Sequence, residues 1–332
     1  MKKGLSKRAV KLLAGLVALV AMVIIVVHHN PLADPQEEMI KKVIACVLIV
    51  SGLAVFYRFY DRLISLPVEL WDSRKLIWKL AKNDFKNRFA GSYLGKVWAF
   101  VQPVITVALY WFVFDYVMGA RAEALAGTIQ IPYVIWLTAG LVPWFFFSEA
   151  ITGGTMALLE YSYLVKKVVF KISVIPIIKI ISASFTHIFF VCFMLVVYVC
   201  MGYTPDLYLL QIPYFSFCLF LFVLALVYST CAMVLFFRDL AQIINIGLQI
   251  GMWATPIMWS FSRTEGHEVL AFVFKLNPVF YVVNGYRESL FEGVGFWMHP
   301  GLTAYFWIFT VLLFIFGTIV FKRLKPHFAD VL

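Results

Sequence analysis

The feature that most constrains this chain is a series of apolar runs, each almost free of charge and about 20 residues long. That is the length an α-helix needs to cross a hydrocarbon core of about 30 Å. The runs lie near 10–27, 43–60, 98–118, 132–152, 174–201, 212–237, 240–261 and 302–321, which predicts eight spans. With 63% hydrophobic residues, 14% charged residues and a mean hydropathy of +0.89, the chain is a poor source of water-soluble surface, since soluble domains carry about 25% charged residues. The first run follows Lys2, Lys3, Lys7, Arg8 and Lys11, superficially like a secretory signal. It lacks a small-x-small cleavage site, and His28, His29 and Asn30 follow directly, so it reads as an uncleaved first span.

A net charge of +10 suggests a nucleic-acid partner until its distribution is examined. The basic residues cluster beside the spans, where they set topology and meet anionic headgroups. With the N-terminus placed in the cytoplasm, 21 of the 28 Lys and Arg fall inside and 6 outside, and one, Lys179, is embedded. This asymmetry predicts that both termini are cytoplasmic.

Two segments have a different texture. In Ser73–Gly91 the apolar Leu76, Ile77, Leu80, Ala81, Phe85 and Phe89 recur at three- and four-residue spacing. Lys75, Lys79, Lys82, Asn83 and Lys86 take the other side, and Asp72 or Ser73 can cap the start. This is the pattern of a basic amphipathic helix lying in the membrane interface. Val269–Trp297 has apolar runs too short to span, interrupted by Asn277-Pro278, Asn284-Gly285 and Gly293. Two short helices dipping into one leaflet satisfy both features; an ordinary amphipathic external loop is the alternative.

Little in the chain speaks for chemistry of its own. The closest approach to a phosphate-cradling G-x-x-x-x-G-K-[ST] loop is Gly91-Ser92-Tyr93-Leu94-Gly95-Lys96-Val97, one residue short and lacking the magnesium-binding hydroxyl. Of intramembrane ionisable groups, which ion-coupled carriers need, only Asp115, Glu149 and Lys179 come close, the first two near span ends. Cys46, Cys192, Cys200, Cys218 and Cys231 lie in apolar runs without metal-ligand spacing. The six histidines form no H-E-x-x-H pattern, and His187 reads as hydrogen-bonded within the bundle. Glu265, Glu268, Glu288 and Glu292 read as a solvated outer face in preference to a transferase active site. The energy for any transport therefore points to a partner.

Four stretches resemble the membrane subunits of type-2 ABC exporters, in the branch that exports O-antigen, teichoic acid and related polysaccharides. The first is Leu76–Pro103, with Asn83-Asp84-Phe85-Lys86-Asn87-Arg88-Phe89-Ala90-Gly91-Ser92-Tyr93-Leu94-Gly95, Trp98 and Gln102-Pro103. The second is Ala139–Phe146 with the following Leu164-Val165-Lys166-Lys167-Val168. The third runs from Phe236-Phe237-Arg238-Asp239-Leu240 through Thr255-Pro256-Ile257 to Asn277-Pro278 and Tyr286-Arg287. The fourth is the ending Phe321–Asp330. The resemblance covers about Leu66 to Leu332. Two departures stand out. Two apolar segments precede the family's six core spans, and Ser162-Tyr163 and Phe170-Lys171 replace an Asn and a Pro usual in the cytoplasmic loop.

The resemblance implies an all-α polytopic fold, with two extra helices (1–65), an interfacial helix (66–97), a six-span core (98–321) and a basic tail (322–332). Within the core lie a coupling loop (156–173) and external gate helices (266–297). It implies a homodimer in the bacterial cytoplasmic (inner) membrane, joined to two copies of an ABC ATPase that bind ATP and Mg. The cargo is a lipid-linked polysaccharide; a type-2 exporter of drugs or small lipids, or a membrane-bound transferase, is the alternative. Glu160, Tyr161, Tyr163, Leu164, Lys166 and Lys167 would couple to the ATPase as an amphipathic helix in a groove, where the alternative is a positively charged tether. Lys82, Lys86 and Arg88 would hold a diphosphate or lipid headgroup, although simple lipid anchoring looks the same in sequence. Trp111, Trp144, Phe147 and Trp253 would face a sugar-stacking pore, against the alternative of interfacial belts. Asn277, Pro278, Tyr281, Tyr286 and Arg287 would form the external gate.

Overall fold

A computed structural model describes residues 7–27, 35–88, 91, 93, 95–119, 121–124, 129–166, 171–259 and 266–332. It divides into two compact units, Met1–Val68 and Glu69–Leu332. In the first unit, α1 (Lys7–Val27) meets α2 (Pro35–Asp72), a 38-residue helix with Pro67 near its end. The Tyr57 hydroxyl donates to the Lys11 carbonyl at 2.8 Å, and the Lys11 ammonium lies 5.2 Å from the Tyr60 ring centre. The amphipathic region expected from residue 66 therefore begins inside α2.

The second unit holds the rest of the helices. They are α3 (Arg74–Asn87), α4 (Trp98–Tyr110, continued by a π-helical turn at Trp111–Val117), α5 (Tyr133–Glu160), α6 (Ser162–Val165) and α7 (Ile175–Cys200). They continue with α8 (Gln211–Met233), α9 (Leu240–Ala254), α10 (Glu268–Lys275), α11 (Pro278–Arg287), α12 (Pro300–Leu324) and α13 (Phe328–Val331). An antiparallel hairpin, β1 (Arg121–Ala124) with β2 (Ile129–Pro132), joins α4 to α5.

The core is α5 and α8. Both are apolar on all sides, the signature of a helix surrounded by others, and α5 packs against α7 and α8 while α8 also receives α12. The α5–α8 approach depends on Gly154, where a Cβ would lie 2.6 Å from Val227. Small residues at such crossings let helix backbones close up where no hydrophobic force drives association.

The chain is a multi-pass membrane protein, and its span lengths refine the sequence expectation of eight. Among the described residues six helices are long and apolar enough to cross: Val10–Val27, Trp98–Val117, Tyr133–Glu160, Ile172–Cys200, Leu207–Met233 and Pro300–Val331. The 43–60 run is absorbed into α2, where only Ile49–Arg58 stands out as a short apolar helix. The expected span at 240–261 is the 15-residue α9. It stops at Thr255, which is extended, because the following Pro256 cannot supply an N–H to a helix turn. The end of that run, residues 260–261, lies outside the described residues, as do Phe89 and Glu265.

Helices α10 and α11 form a pair bent by 91°, as the interrupted apolar runs predict. The bend sits at Asn277, whose side-chain oxygen accepts from Val279 N at 3.0 Å, with Pro278 opening the next helix. Asn at the cap and Pro at the first turn are the preferred residues for such a start.

Candidate functional site

Helix α3 has two polar stripes with different fates. At 100° per residue, Asp84 and Arg88 share one face, and Lys82 and Lys86 share nearly the opposite one. Ile77, Ala81 and Asp84 are buried, whereas Lys82 and Lys86 are exposed. Trp78 and Phe85 clamp Phe185 of α7 edge-on, with ring centres 5.3 and 5.6 Å away. Thus α3 packs on α7 through the face that carries Asp84.

Lys179, one turn into α7, is the centre of the resulting network. Its ammonium lies 2.7 Å from Asp84 Oδ1 and 2.5 Å from Glu160 Oε2. The Tyr161 hydroxyl donates to the same Asp84 oxygen at 2.7 Å, and the Tyr161 ring sits 5.3 Å from the Lys179 ammonium. One largely enclosed lysine thereby joins α3, the end of α5 and the turn into α6. Burial alone would raise the Asp84 carboxyl. The hydrogen bonds from Lys179 and Tyr161 and the Lys179 charge outweigh it and hold Asp84 below the ordinary carboxylate value. Burial, reinforced by the Asp84 carboxylate, drives the Tyr161 phenol well above its usual range, so it remains a donor.

Four residues along α3, Arg88 pairs with Glu149 of α5, both side chains being about one-quarter exposed. Glu149 lies in the interior of the α5 sequence, eleven residues before its end. These ion pairs flank a cavity of about 860 Å³. Its polar lining includes Asp84, Arg88, Glu149, Glu160, Tyr161 and Lys179. Trp98, Pro103, Phe145 and Phe190 form an apolar wall from α4, α5 and α7. A volume of several hundred cubic ångströms with a few convergent polar groups is typical of a ligand site.

The six residues of the expected coupling element do not act alike. Tyr161 is half-buried and turned back onto Asp84, Leu164 is partly covered, and Tyr163 and Lys166 are exposed. Lys167 lies outside the described residues. The expected headgroup trio also divides, since Arg88 lines the cavity and Lys82 and Lys86 do not.

The expected gate residues are brought together, all of them tied into the helix bundle. Asn277 donates to Thr255 Oγ1 at 2.7 Å. The Tyr281 hydroxyl lies 3.1 Å from those of Tyr214 and Thr303, and the Tyr286 hydroxyl contacts Ser216 at 2.6 Å and His187 Nε2 at 3.2 Å. His187 is hydrogen-bonded within the bundle, as expected. Arg287 is buried. Its two terminal nitrogens donate to the Pro256 and Ile257 carbonyls at 2.5 and 2.8 Å, and its guanidinium stacks 3.4 Å from the Trp136 ring centre. Gly140 makes room for it, because a Cβ there would lie 2.9 Å from Arg287 Nη2. Glu288 also departs from the expected solvated face. It is buried, accepts from Asn284 at 2.6 Å and lies 3.1 Å from His299 Nε2.

Of the four expected pore aromatics, Trp111 and Trp253 are exposed. Trp144 is buried, against Gly251 and 5.4 Å from Phe147, which itself stacks on Phe222. Sequence reasoning missed Asp84 and the partner of Glu149. The signals available were the i, i+4 spacing of Asp84 with Arg88 and an intramembrane lysine in need of an acid.

Residues 75–291 match the family described as ABC-2 type transporter. The chain is 26% identical over 260 residues to a Klebsiella pneumoniae protein named O-antigen export system permease protein RfbA, covering 76% of this chain and 93% of that one. It is 28% identical over 230 residues to a Myxococcus xanthus protein of the same name, covering 69% and 85%.

Proposed function

Because the chain belongs to the ABC-2 type transporter family, we propose that it is the membrane-spanning subunit of an ATP-driven exporter that carries a lipid-linked polysaccharide out of the cytoplasm. The observation that carries this reading is its likeness, along nearly the whole length of the relatives, to permeases named for O-antigen export. The cavity supports it, since a charged wall beside an apolar one suits an anionic headgroup on a lipid tail.

In this reading two copies of the chain and two ABC ATPase subunits form the transporter, and the ATPase holds ATP and Mg while this chain supplies no catalysis. In this reading the chain lies in the inner membrane, and the charge asymmetry of the loops supports placing both termini in the cytoplasm. Tyr163, Leu164 and Lys166 face the ATPase, and Tyr161 works from behind them through Asp84 and Lys179. Lys82 and Lys86 meet headgroups along α3, whereas Arg88 serves the cargo within the cavity. The α10–α11 pair closes the outer end of the path.

Co-purification with the product of an adjacent ATPase gene, followed by an ATPase assay in lipid, tests the reading. A stable, hydrolysing complex is expected, and Tyr163→Ala is expected to weaken ATPase association by about 2 kcal/mol, as for an exposed aromatic anchor. Transport by this chain without any ATPase would overturn it. In the same complex, Trp253→Ala is expected to lower glycan export several-fold at unchanged ATPase activity, as aromatic stacking on sugar faces is removed. Unchanged export would take Trp253 out of the path.

A further inference from the structure

The charge balance of the cavity is unfavourable for the anion that the proposed function requires. Three carboxylates (Asp84, Glu149 and Glu160) face two cations (Arg88 and Lys179) across its polar wall. Each cation is already engaged, Lys179 by two carboxylates and Arg88 by Glu149. The two engagements differ in kind. Asp84 and Lys179 are nearly enclosed, with side chains 6% and 11% exposed, and a third group, Tyr161, fixes the pair. Arg88 and Glu149 are 29% and 27% exposed and open onto the cavity, beside the apolar wall.

A carboxylate in a membrane-spanning helix needs a cationic partner or a proton. Glu149 takes that partner from α3, on the rim of the space where a headgroup would lie. Guanidinium presents its donors as a planar fork that fits carboxylate and phosphate alike. A phosphate can therefore replace the Glu149 carboxylate on Arg88 without a change in the donor's geometry.

From this arrangement we infer that Glu149 is a built-in stand-in for the anionic group of the cargo. In the empty transporter it occupies Arg88; a lipid-borne diphosphate enters the cavity, takes Arg88, and displaces Glu149. The exchange gives the site a threshold. An anion must outbid an internal competitor, and its apparent affinity falls by the fraction of molecules in which Arg88 is available. The apolar wall supplies the additional contact that lets a lipid-linked anion win where a free one does not. This inference rests on the reading of the chain as an exporter of lipid-linked cargo.

The test uses the intact complex with its ATPase, titrated with farnesyl diphosphate and read by direct calorimetry. Glu149→Gln is expected to tighten binding about tenfold, the size of one charge-assisted hydrogen bond removed from the competing state. Glu149→Asp keeps the negative charge but withdraws it by one methylene, and is expected to tighten binding by a smaller factor. Arg88→Ala should abolish the tightening, so that Arg88→Ala and Arg88→Ala with Glu149→Gln bind equally weakly. Thermal unfolding confirms that each variant is folded.

Weaker or unchanged binding in folded Glu149→Gln would overturn the inference while leaving the exporter reading intact, provided the unaltered complex binds the probe. Tightening by Glu149→Gln with none by Glu149→Asp would reduce the effect to bulk charge and overturn it as well. Equal gains for inorganic pyrophosphate would reassign the exchange to free anions. Competition by phosphatidylglycerol vesicles at the strength of the diphosphate would make the cavity a general phospholipid site. Failure of the unaltered complex to bind farnesyl diphosphate at all counts against the exporter reading itself.

Discussion

Lys179→Ala is expected to lower the stability of the complex by about 3 kcal/mol and to separate ATP hydrolysis from export. Removing one partner of a buried ion pair leaves the other charge without compensation, an effect of roughly 3–5 kcal/mol. The lower end applies because Glu160, the second acid on Lys179, is half exposed and screened by solvent. The functional consequence follows from position. Lys179 is where α7 touches both α3 and the turn into α6, so in the proposed coupling role displacement of that turn by an ATPase would be passed on through this ammonium. The variant should hydrolyse ATP while exporting little. Asp84→Asn combined with Lys179→Met should recover most of the lost stability, since removing both charges leaves neither buried partner uncompensated, but not the coupling. Unfolding and export assays on the same preparation decide it; unchanged melting and export in Lys179→Ala would remove the network from the mechanism. The pH dependence has a definite sign. The Asp84 carboxyl lies below its unfolded value, so its contribution is present above that value and lost only as pH falls through the lower folded one. The Asp84–Lys179 contribution should therefore stay constant from pH 5 to 8.

Arg287→Lys is expected to be nearly as damaging as Arg287→Leu. Two carbonyls, of Pro256 and Ile257, face one guanidinium whose plane lies on Trp136. An ammonium cannot donate in a flat fork and stack at once, so the substitution conserves charge and loses the joint. Each carbonyl left unpaired costs about 1–3 kcal/mol, which puts the total near 3 kcal/mol. The bent pair is held to the end of α9 by this residue and by Asn277 on Thr255. The expected outcome is a lower unfolding temperature and protease sensitivity near residues 256–277, with ATPase association preserved. A lysine variant as stable and active as the parent would show that charge alone suffices.

The sequence carried the fold at the level where local physics decides. Apolar runs of bilayer length mark α1, α4, α5, α7, α8 and α12, and Asn277-Pro278 marks the bend between α10 and α11. The end of α9 was overestimated because apolar character continues past Thr255-Pro256, although the helix cannot. The site was legible in pieces. Lys179 stands out as an embedded charge, and the period of α3 separates Arg88 from Lys82 and Lys86. Their partners were not legible. Asp84 meets a lysine 95 residues downstream, and Arg88 meets a glutamate 61 residues away. Glu288 looked solvated because its burial is created by Asn284 on its own helix and by His299 at the start of α12. Such placements depend on which helices become neighbours, and periodicity within one helix does not encode that.

Proline 67 stands one residue before the division between the two compact units, inside a helix that runs on to Asp72. The family match begins at residue 75, and the Klebsiella pneumoniae relative is covered over 93% of its length by 76% of this chain. Structural division, helix irregularity and family boundary thus fall within eight residues of one another. For the gene, this means that a leading helical pair can be acquired or lost at a single in-frame junction.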